Sequence, residues 1–211
     1  MADVARAGHL LRWASARKGK TYPVEILTPD EVRALAAQCS TTTSWGVRNR
    51  AVIVLLYRTG LRLSEALAVR VKDINFEIGS VTMLHGKGDR MRTVGIDPGA
   101  TPHIEAWIER RRSLGLPGDA PLFCTLKGGP LAGNTLREML NTLALRAGIE
   151  KRVHPHGFRD THAYELMMEG VPMPIIQQQL GHASLATTDR YLAHIAPKQV
   201  IETMGRREWS P

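Results

Sequence analysis

Hydrophobic positions follow a helical period along most of this chain. The first clear signal is Thr28-Pro-Asp-Glu31, a capping box with proline at the first helical position. The apolar run from Ala51 to Tyr57 is too continuous for a surface helix. It therefore predicts a buried central helix, which Gly60 ends, and a short helix is expected to restart around 64–69.

The pattern changes between positions 71 and 96, where short β-rich runs replace the helical period. Residues 73–79, 81–84 and 92–96 are predicted as strands of a small antiparallel sheet, and Gly86-Lys-Gly-Asp89 has the composition of a hairpin turn. Residues 121–125 are predicted as an isolated strand.

Helical periodicity then returns and dominates the rest of the chain. A helix is expected around Ile104, Trp107 and Ile108. Further helices are predicted over 134–147, 156–169, from Pro172 or Pro174 to Leu180, over 184–193, and from Pro197, with Gly148, Gly170 and Gly181 ending the first three. The expected fold class is mainly α with a small antiparallel β-sheet.

Composition narrows the class of protein. The 211 residues, 43% of them hydrophobic, are enough for one well-packed domain, and a net charge of +8 favours a polyanionic partner such as nucleic acid. Cys39 and Cys124 are too few for a disulfide framework and lack metal-ligand spacing, as expected in a reducing cytosol. No apolar run approaches the roughly 20 residues that span a bilayer. We therefore expect a cytoplasmic protein with no membrane association.

Six residues form the most informative chemical set in the chain. Two guanidiniums, an ammonium, two imidazoles and a phenol together suit a phosphodiester substrate, because guanidiniums pair with phosphate oxygens and a phenol can attack phosphorus. Each residue alone also has a structural interpretation, as a surface charge, a turn lysine, a helix cap or a packed tyrosine. The six are Arg62, Lys87, His156, Arg159, His182 and Tyr191.

The motifs around these residues make coincidence implausible. In order and spacing they resemble the tyrosine recombinase (phage integrase) family, over about residues 28–205. The resemblance implies the catalytic-domain fold of that family and an enzyme that cuts, exchanges and rejoins DNA strands. The matching motifs are Thr59-Gly-Leu-Arg-Leu-Ser-Glu65, Gly86-Lys-Gly88, His156-Gly-Phe-Arg159, Leu180-Gly-His182 and the later Tyr191.

The resemblance also implies roles for individual residues. Arg62, Arg159 and His182 are expected to stabilise the pentacoordinate transition state. Tyr191 is the expected nucleophile and forms a covalent 3′-phosphotyrosine. A phenol has an ordinary pKa of about 10 and needs a proton acceptor, for which His156 is the candidate.

Other residues of the motifs are expected to support the chemistry. Lys87 is the expected general acid for the departing 5′-oxygen. Glu65 lies within helical reach of Arg62 and is expected to orient it. The basic residues flanking Lys87 are expected to contact backbone phosphates and are His85, Arg90 and Arg92. Asp160 departs from the family pattern, which often has a second histidine after this arginine.

The expected organisation is a basic N-terminal arm or linker (1–27), a catalytic domain (28–196) and a C-terminal tail (197–211) that docks on a neighbouring subunit. The expected partner is double-stranded DNA, bound by a homotetramer on paired sites and by a monomer when free, with a missing or separate core-binding domain. No cofactor and no metal is expected. Two alternatives remain at this point: type IB topoisomerase-like relaxation and a non-catalytic DNA-binding integrase remnant.

Overall fold

The computed structural model describes residues 25–83, 91–181 and 204–205. The expected class is confirmed, since helices dominate this part and one three-stranded antiparallel sheet accompanies them. The helices are α1 (Pro29–Ala37), α2 (Ser44–Thr59), α3 (Leu63–Ala68), α4 (Thr101–Ser113), α5 (Gly133–Arg146), α6 (Pro155–Met168) and α7 (Met173–Leu180). The strands are β1 (Ile74–Asn75), β2 (Ser80–Met83) and β3 (Arg92–Gly95).

The predicted capping box opens α1. Thr28 Oγ1 accepts a hydrogen bond from the Glu31 main-chain N–H at 3.2 Å, and Glu31 Oε2 accepts one from the Thr28 N–H at 2.7 Å. These reciprocal bonds satisfy amides that have no partner within the helix. Glu31 also accepts from Lys151 Nζ at 2.7 Å, which joins α1 to the segment that follows α5.

Helix α2 is the central element, as its apolar run predicts. Positions 51–56 are all buried, and the helix packs against both α4 and α6. It begins well before Ala51, because Thr43 caps it by accepting a bond from the Gly46 N–H at 3.2 Å. It ends at Gly60, whose φ of +63° is in the left-handed region.

The sheet has the order β1-β2-β3, with Val81 of β2 opposite both Ile74 and Val94. The first strand is shorter than predicted. After Asn75 the chain turns, because the Asn75 side-chain oxygen accepts hydrogen bonds from the N–H groups of Glu77 and Ile78. The extended run expected over 73–79 is therefore wrong beyond Asn75, and the predicted hairpin turn lies outside the described residues.

The predicted strand over 121–125 is also wrong. Only two isolated bridges form there, Arg70 with Pro121 and Cys124 with Pro130. Arg111 of α4 is 3% exposed, and its guanidinium bonds main-chain carbonyls of this loop, including those of Pro121 and Leu122 in the predicted strand. The acceptors are the carbonyl oxygens of Pro117, Ala120, Pro121 and Leu122 at 2.5–3.3 Å.

The later helices begin and end close to their predicted positions. Glycines with positive φ follow α5, α6 and α7 as expected. Helix α7 packs against α6 and against β3, which brings the end of α7 beside the sheet. The helices predicted over 184–193 and from Pro197 lie outside the described residues. None of the helices in the described ranges is long and apolar enough to cross a bilayer.

Candidate active site

Arg62 is positioned by the sharp turn that ends α2. A Cβ added at Gly60 would lie 2.8 Å from His162 Cδ2, so both the positive φ and the close packing require glycine here. The chain is extended at Arg62 itself, at the residue that immediately precedes α3. Its side chain is 47% exposed. The turn therefore presents a guanidinium at the surface while its backbone stays fixed.

Glu65 holds Arg62 at both the main chain and the side chain. Its Oε1 accepts from Arg62 Nη1 at 2.9 Å, and its Oε2 accepts from the Arg62 main-chain N–H at 2.8 Å. Arg92 Nη2 donates to Oε2 as well, at 2.8 Å. The carboxylate thus lies between two guanidiniums, which supports the expectation that it orients Arg62.

Helix α6 carries His156 and Arg159. His154 caps the helix by accepting a bond at Nδ1 from the Gly157 N–H at 3.2 Å, and Pro155 occupies the first turn. His156 is more than half exposed, whereas Arg159 is 1% exposed. The first two turns of α6 therefore present one imidazole outward and direct one guanidinium into the protein.

Arg159 connects three elements. Its Nη1 donates to the Gly60 carbonyl at 2.7 Å, and its Nη2 donates to the Leu180 carbonyl at 2.5 Å. These acceptors are neutral, so the bonds fix the guanidinium without cancelling its charge.

Three arginines converge on the C-terminal end of α7. Arg92 Nη1 donates to the Gln179 carbonyl at 3.2 Å, Arg159 to the Leu180 carbonyl, and Arg62 Nη2 to the Gly181 carbonyl at 3.5 Å. Carbonyls at a helix C-terminus lack partners and carry partial negative charge. This end of α7 thereby gathers the guanidiniums in one place.

The same cluster affects the protonation of His156. Desolvation of the part of the ring that is covered is the largest cause, followed by the charges of Arg159 and Arg62, and together they lower the pKa of His156 below its ordinary value of about 6.5. Asp160 Oδ1 lies 4.0 Å from His156 Nε2, too far for a hydrogen bond. The uncharged form of the imidazole therefore predominates at neutral pH, and that form can accept a proton.

Several predicted site residues lie outside the described residues. His85, Lys87 and Arg90 belong to 84–90, and His182 and Tyr191 belong to 182–203. Among the predicted residues that are described, the structure brings together Arg62, Glu65, Arg92, His156 and Arg159. Within this described part, no group of three or more His, Cys, Asp or Glu is arranged to hold a metal ion.

Sequence reasoning missed two features of the site. Gln179 was not singled out, yet its side-chain amide bonds both the N–H and the carbonyl of Gly95 on β3 and also the Thr59 carbonyl. The second feature is the inward direction of Arg92. Strand alternation could have indicated it, because Arg92 shares a face with buried Val94.

The chain is similar to known proteins over most of its length. Residues 25–197 match the model of the phage integrase family. The chain is 35% identical to tyrosine recombinase XerC of Anoxybacillus flavithermus over 84% of this chain and 60% of that protein. It is 33% identical to tyrosine recombinase XerD of Bifidobacterium longum over 96% of this chain and 66% of that protein. The chain thus spans about three fifths to two thirds of the length of these relatives.

Solved structures show the same fold. The crystal structure of XerA recombinase has a TM-score of 0.76 and 27% identity, covering 90% of this chain and 68% of that one. XerH site-specific recombinase, in a post-cleavage complex with a palindromic difH substrate, has a TM-score of 0.72 and 28% identity, covering 88% and 54%. The chain belongs to the phage integrase family and adopts the tyrosine recombinase catalytic-domain fold.

Proposed function

We propose that this chain carries the strand-cleavage and rejoining centre of a site-specific DNA recombinase that works through a covalent 3′-phosphotyrosine. The observation that carries the proposal is the convergence of Arg62 and Arg159 at the end of α7, with neutral His156 beside them. The relatives named tyrosine recombinase XerC and XerD support it, as does the XerH complex with DNA.

The chemistry follows from what a phosphodiester requires. Its anionic oxygens repel an oxygen nucleophile, so catalysis must neutralise charge, position the reactants and protonate the leaving oxygen. Arg62 and Arg159 supply two permanent positive charges for the non-bridging oxygens. His182 is proposed to donate a further hydrogen bond to the same phosphate.

The proposed step breaks one bond and forms one. The Tyr191 phenol oxygen attacks phosphorus and its proton passes to His156, while the bond from phosphorus to the 5′-oxygen breaks and Lys87 protonates that oxygen. The 3′-phosphotyrosine keeps the energy of the broken bond. Rejoining by a 5′-hydroxyl therefore needs no nucleotide cofactor.

The proposed partner is double-stranded DNA, in keeping with the net charge of +8. His85 and Arg90 are proposed backbone contacts. Strand exchange needs two duplexes, each cut on both strands, and therefore four active sites. We propose that the protein is a tetramer on paired sites and a monomer when free. The arm (1–27), the catalytic domain (28–196), the docking tail (197–211) and a separate core-binding domain remain parts of this proposal.

The two alternatives have less support. A type IB topoisomerase would relax DNA without strand exchange, and a non-catalytic remnant would bind DNA without cutting it. The relatives reported above are named recombinases, which favours strand exchange over both.

Covalent trapping tests the proposal. The chain is incubated with a library of nicked duplexes from which the cleaved 5′ fragment diffuses away, and adducts are isolated under denaturing conditions and sequenced. We expect a covalent protein–DNA adduct at a defined sequence. Absence of any adduct at a concentration where the DNA is bound would contradict the assigned activity.

Matched tyrosine variants identify the nucleophile. Tyr191→Phe is expected to bind DNA and form no adduct, because it lacks only the attacking oxygen. Tyr164→Phe, on α6, is expected to form the adduct normally. The reverse pattern would assign the nucleophile to Tyr164.

A further inference from the structure

Arg92 is directed into the protein rather than toward solvent. It shares one face of β3 with Val94, which is 1% exposed, and its own side chain is 21% exposed. An arginine that contacts DNA phosphates is expected to present its donors outward. The direction of this side chain therefore calls for an internal role.

The first internal contact is to Glu65. The carboxylate is 13% exposed and receives Arg62 Nη1 on Oε1 and Arg92 Nη2 on Oε2, at 2.9 and 2.8 Å. The Arg62 main-chain N–H also donates to Oε2, so Arg92 adds a third donor that fixes this carboxylate from the side of the sheet. Arg92 thus restricts the rotation of Glu65, and Glu65 restricts the guanidinium of Arg62.

The second contact is to the end of α7. Arg92 Nη1 donates to the Gln179 carbonyl at 3.2 Å, and a Cβ added at Gly181 would lie only 1.8 Å from this nitrogen. The guanidinium therefore packs directly against the glycine turn. This turn immediately precedes His182 in the sequence.

Gln179 fixes the strand that carries Arg92. Its Oε1 accepts from the Gly95 N–H at 2.9 Å, and its Nε2 donates to the Gly95 carbonyl at 3.0 Å. The same Nε2 donates to the Thr59 carbonyl at 3.2 Å. Strand β3, the end of α2 and the end of α7 are therefore joined around Arg92.

We propose that Arg92 is a positioning residue for strand cleavage. It holds Arg62 through Glu65 and the Gly181 turn through the Gln179 carbonyl, and it does not contact DNA. This role replaces the phosphate contact expected from the sequence, and it rests on the proposed recombinase function. Both terminal nitrogens of Arg92 already donate to protein acceptors, which supports the internal role.

The first test uses the free chain and does not depend on activity. Nitrogen-15 relaxation of the arginine Nε–H groups reports the mobility of the Arg62 side chain on the picosecond-to-nanosecond timescale. We expect Arg62 to become markedly more mobile in Arg92→Met and in Glu65→Gln. The matched control is Arg112→Met, which removes an exposed arginine of α4 that pairs only with Glu109 in the described residues. An Arg62 as rigid in Arg92→Met as in the control would overturn the proposal.

The second test measures single-turnover cleavage at saturating DNA. A misplacement of about 1 Å in a catalytic group can cost on the order of 100-fold, so we expect Arg92→Met to cleave up to about 100-fold more slowly. The cleavage rate of Arg92→Lys should lie between those of the parent and Arg92→Met. An ammonium keeps the attraction to Glu65, but it cannot donate to both acceptors as the planar guanidinium does. An unchanged rate in Arg92→Met would contradict the role.

A double-mutant cycle separates positioning from an independent contribution. The double variant combines Arg62→Ala with Arg92→Met. If Arg92 acts through Arg62, the fold-loss of cleavage rate in the double variant is well below the product of the two single fold-losses. Fully multiplicative losses would show that Arg92 acts on its own. If the parent chain forms no adduct, the proposed function fails, and Arg62 mobility still decides the role of Arg92.

The last test distinguishes positioning from phosphate contact. DNA affinity is measured across a salt series for the parent chain, Arg92→Met and Arg112→Met. A lost phosphate contact reduces the slope of log affinity against log salt by about 0.9. We expect the slope in Arg92→Met to equal that of the parent. A reduction of that size would assign Arg92 to the DNA backbone and overturn the proposal.

Discussion

Single residues of this site are fixed by main-chain carbonyls as much as by other side chains. Arg159 bonds the carbonyls of Gly60 and Leu180, and Arg62 reaches that of Gly181. Carbonyl acceptors satisfy the donors of a guanidinium and leave its net charge unchanged. The one described carboxylate bound to Arg62, Glu65, is shared with Arg92. These bonds therefore hold the charges of Arg62 and Arg159 near the imidazole of His156.

The lowered pKa of His156 predicts the pH dependence of cleavage. A base must be unprotonated, and its pKa below about 6.5 means that the neutral form dominates at pH 7. We expect the single-turnover rate to fall only below pH 6.5, as the pH passes through the lowered pKa. The residual activity of His156→Gln should lack this decline.

His103 provides the control for that profile. It lies on α4, which contributes no residue to the site. Burial, followed by the charge of Arg50, also lowers the pKa of His103. His103→Gln should retain the acidic decline of the parent. A decline that persists in His156→Gln would remove His156 from the role of proton acceptor.

At the scale of elements, capping residues and glycines in the sequence predicted the helices. They did not predict the hydrogen bonds between side chains and the main chain that decide where strands form. The capping box at Thr28 and the glycine at position 60 specify their helix ends through contacts within a few residues. Strand β1 is short because the Asn75 side chain competes for main-chain N–H groups. Residues 121–125 form no strand because Arg111, ten or more positions earlier, bonds carbonyls of this segment. No periodicity in the sequence reports such a contact.

The end of α7 allows a direct test of the contact between Gly181 and Arg92. Gly181 has a φ of +63°, and Gly148, which follows α5, has a φ of +68° with nothing within 4 Å of an added Cβ. Alanine at either position incurs backbone strain of about 1–2 kcal/mol. Only Gly181→Ala must also displace Arg92.

We therefore expect Gly181→Ala to lower the free energy of unfolding by more than Gly148→Ala does, as measured by urea denaturation. The difference should shrink in an Arg92→Met background, because the guanidinium that collides with the new methyl group is then gone. Equal losses at the two glycines would show that Arg92 moves aside without cost.

At the scale of the whole molecule, the site depends on the complete fold. Its described residues come from the turn after α2, from α3, from β3, from the first two turns of α6 and from the end of α7. The sequence motifs identified the predicted residues one by one, since each lies in a recognisable local pattern. Their mutual contacts could not be predicted in this way, because they join positions as far apart as 62 and 181. Whatever unfolds the molecule therefore also separates the guanidiniums.

Acid is expected to weaken the whole fold. Burial, followed by the charge of Arg58, lowers the pKa of His162 to about 4, and its ordinary value is about 6.5. The unfolded chain then binds this proton more readily than the folded one. Stability from this group is present above pH 6.5 and is lost as the pH falls toward 4, at about 1.4 kcal/mol per pH unit.

Urea denaturation between pH 7 and pH 4 measures this effect. His162→Phe removes the titrating group and keeps a ring in the space beside Gly60. We expect the free energy of unfolding of this variant to depend less steeply on pH than that of the parent. Identical slopes would show that His162 does not contribute to the acid sensitivity.

One side chain, Arg111, holds the course of the loop over 117–122. The loop that surrounds it contributes main-chain oxygens, which every amino acid carries. This contact therefore places no demand on the residue types at the exposed positions Gly118 and Asp119. The arginine has no such freedom, because no other side chain offers as many donors in a fixed plane. Random mutagenesis of 111–122 should therefore yield functional variants at 118 and 119 but almost none at 111. The exposed side chains of this loop can therefore change while Arg111 keeps its backbone conformation.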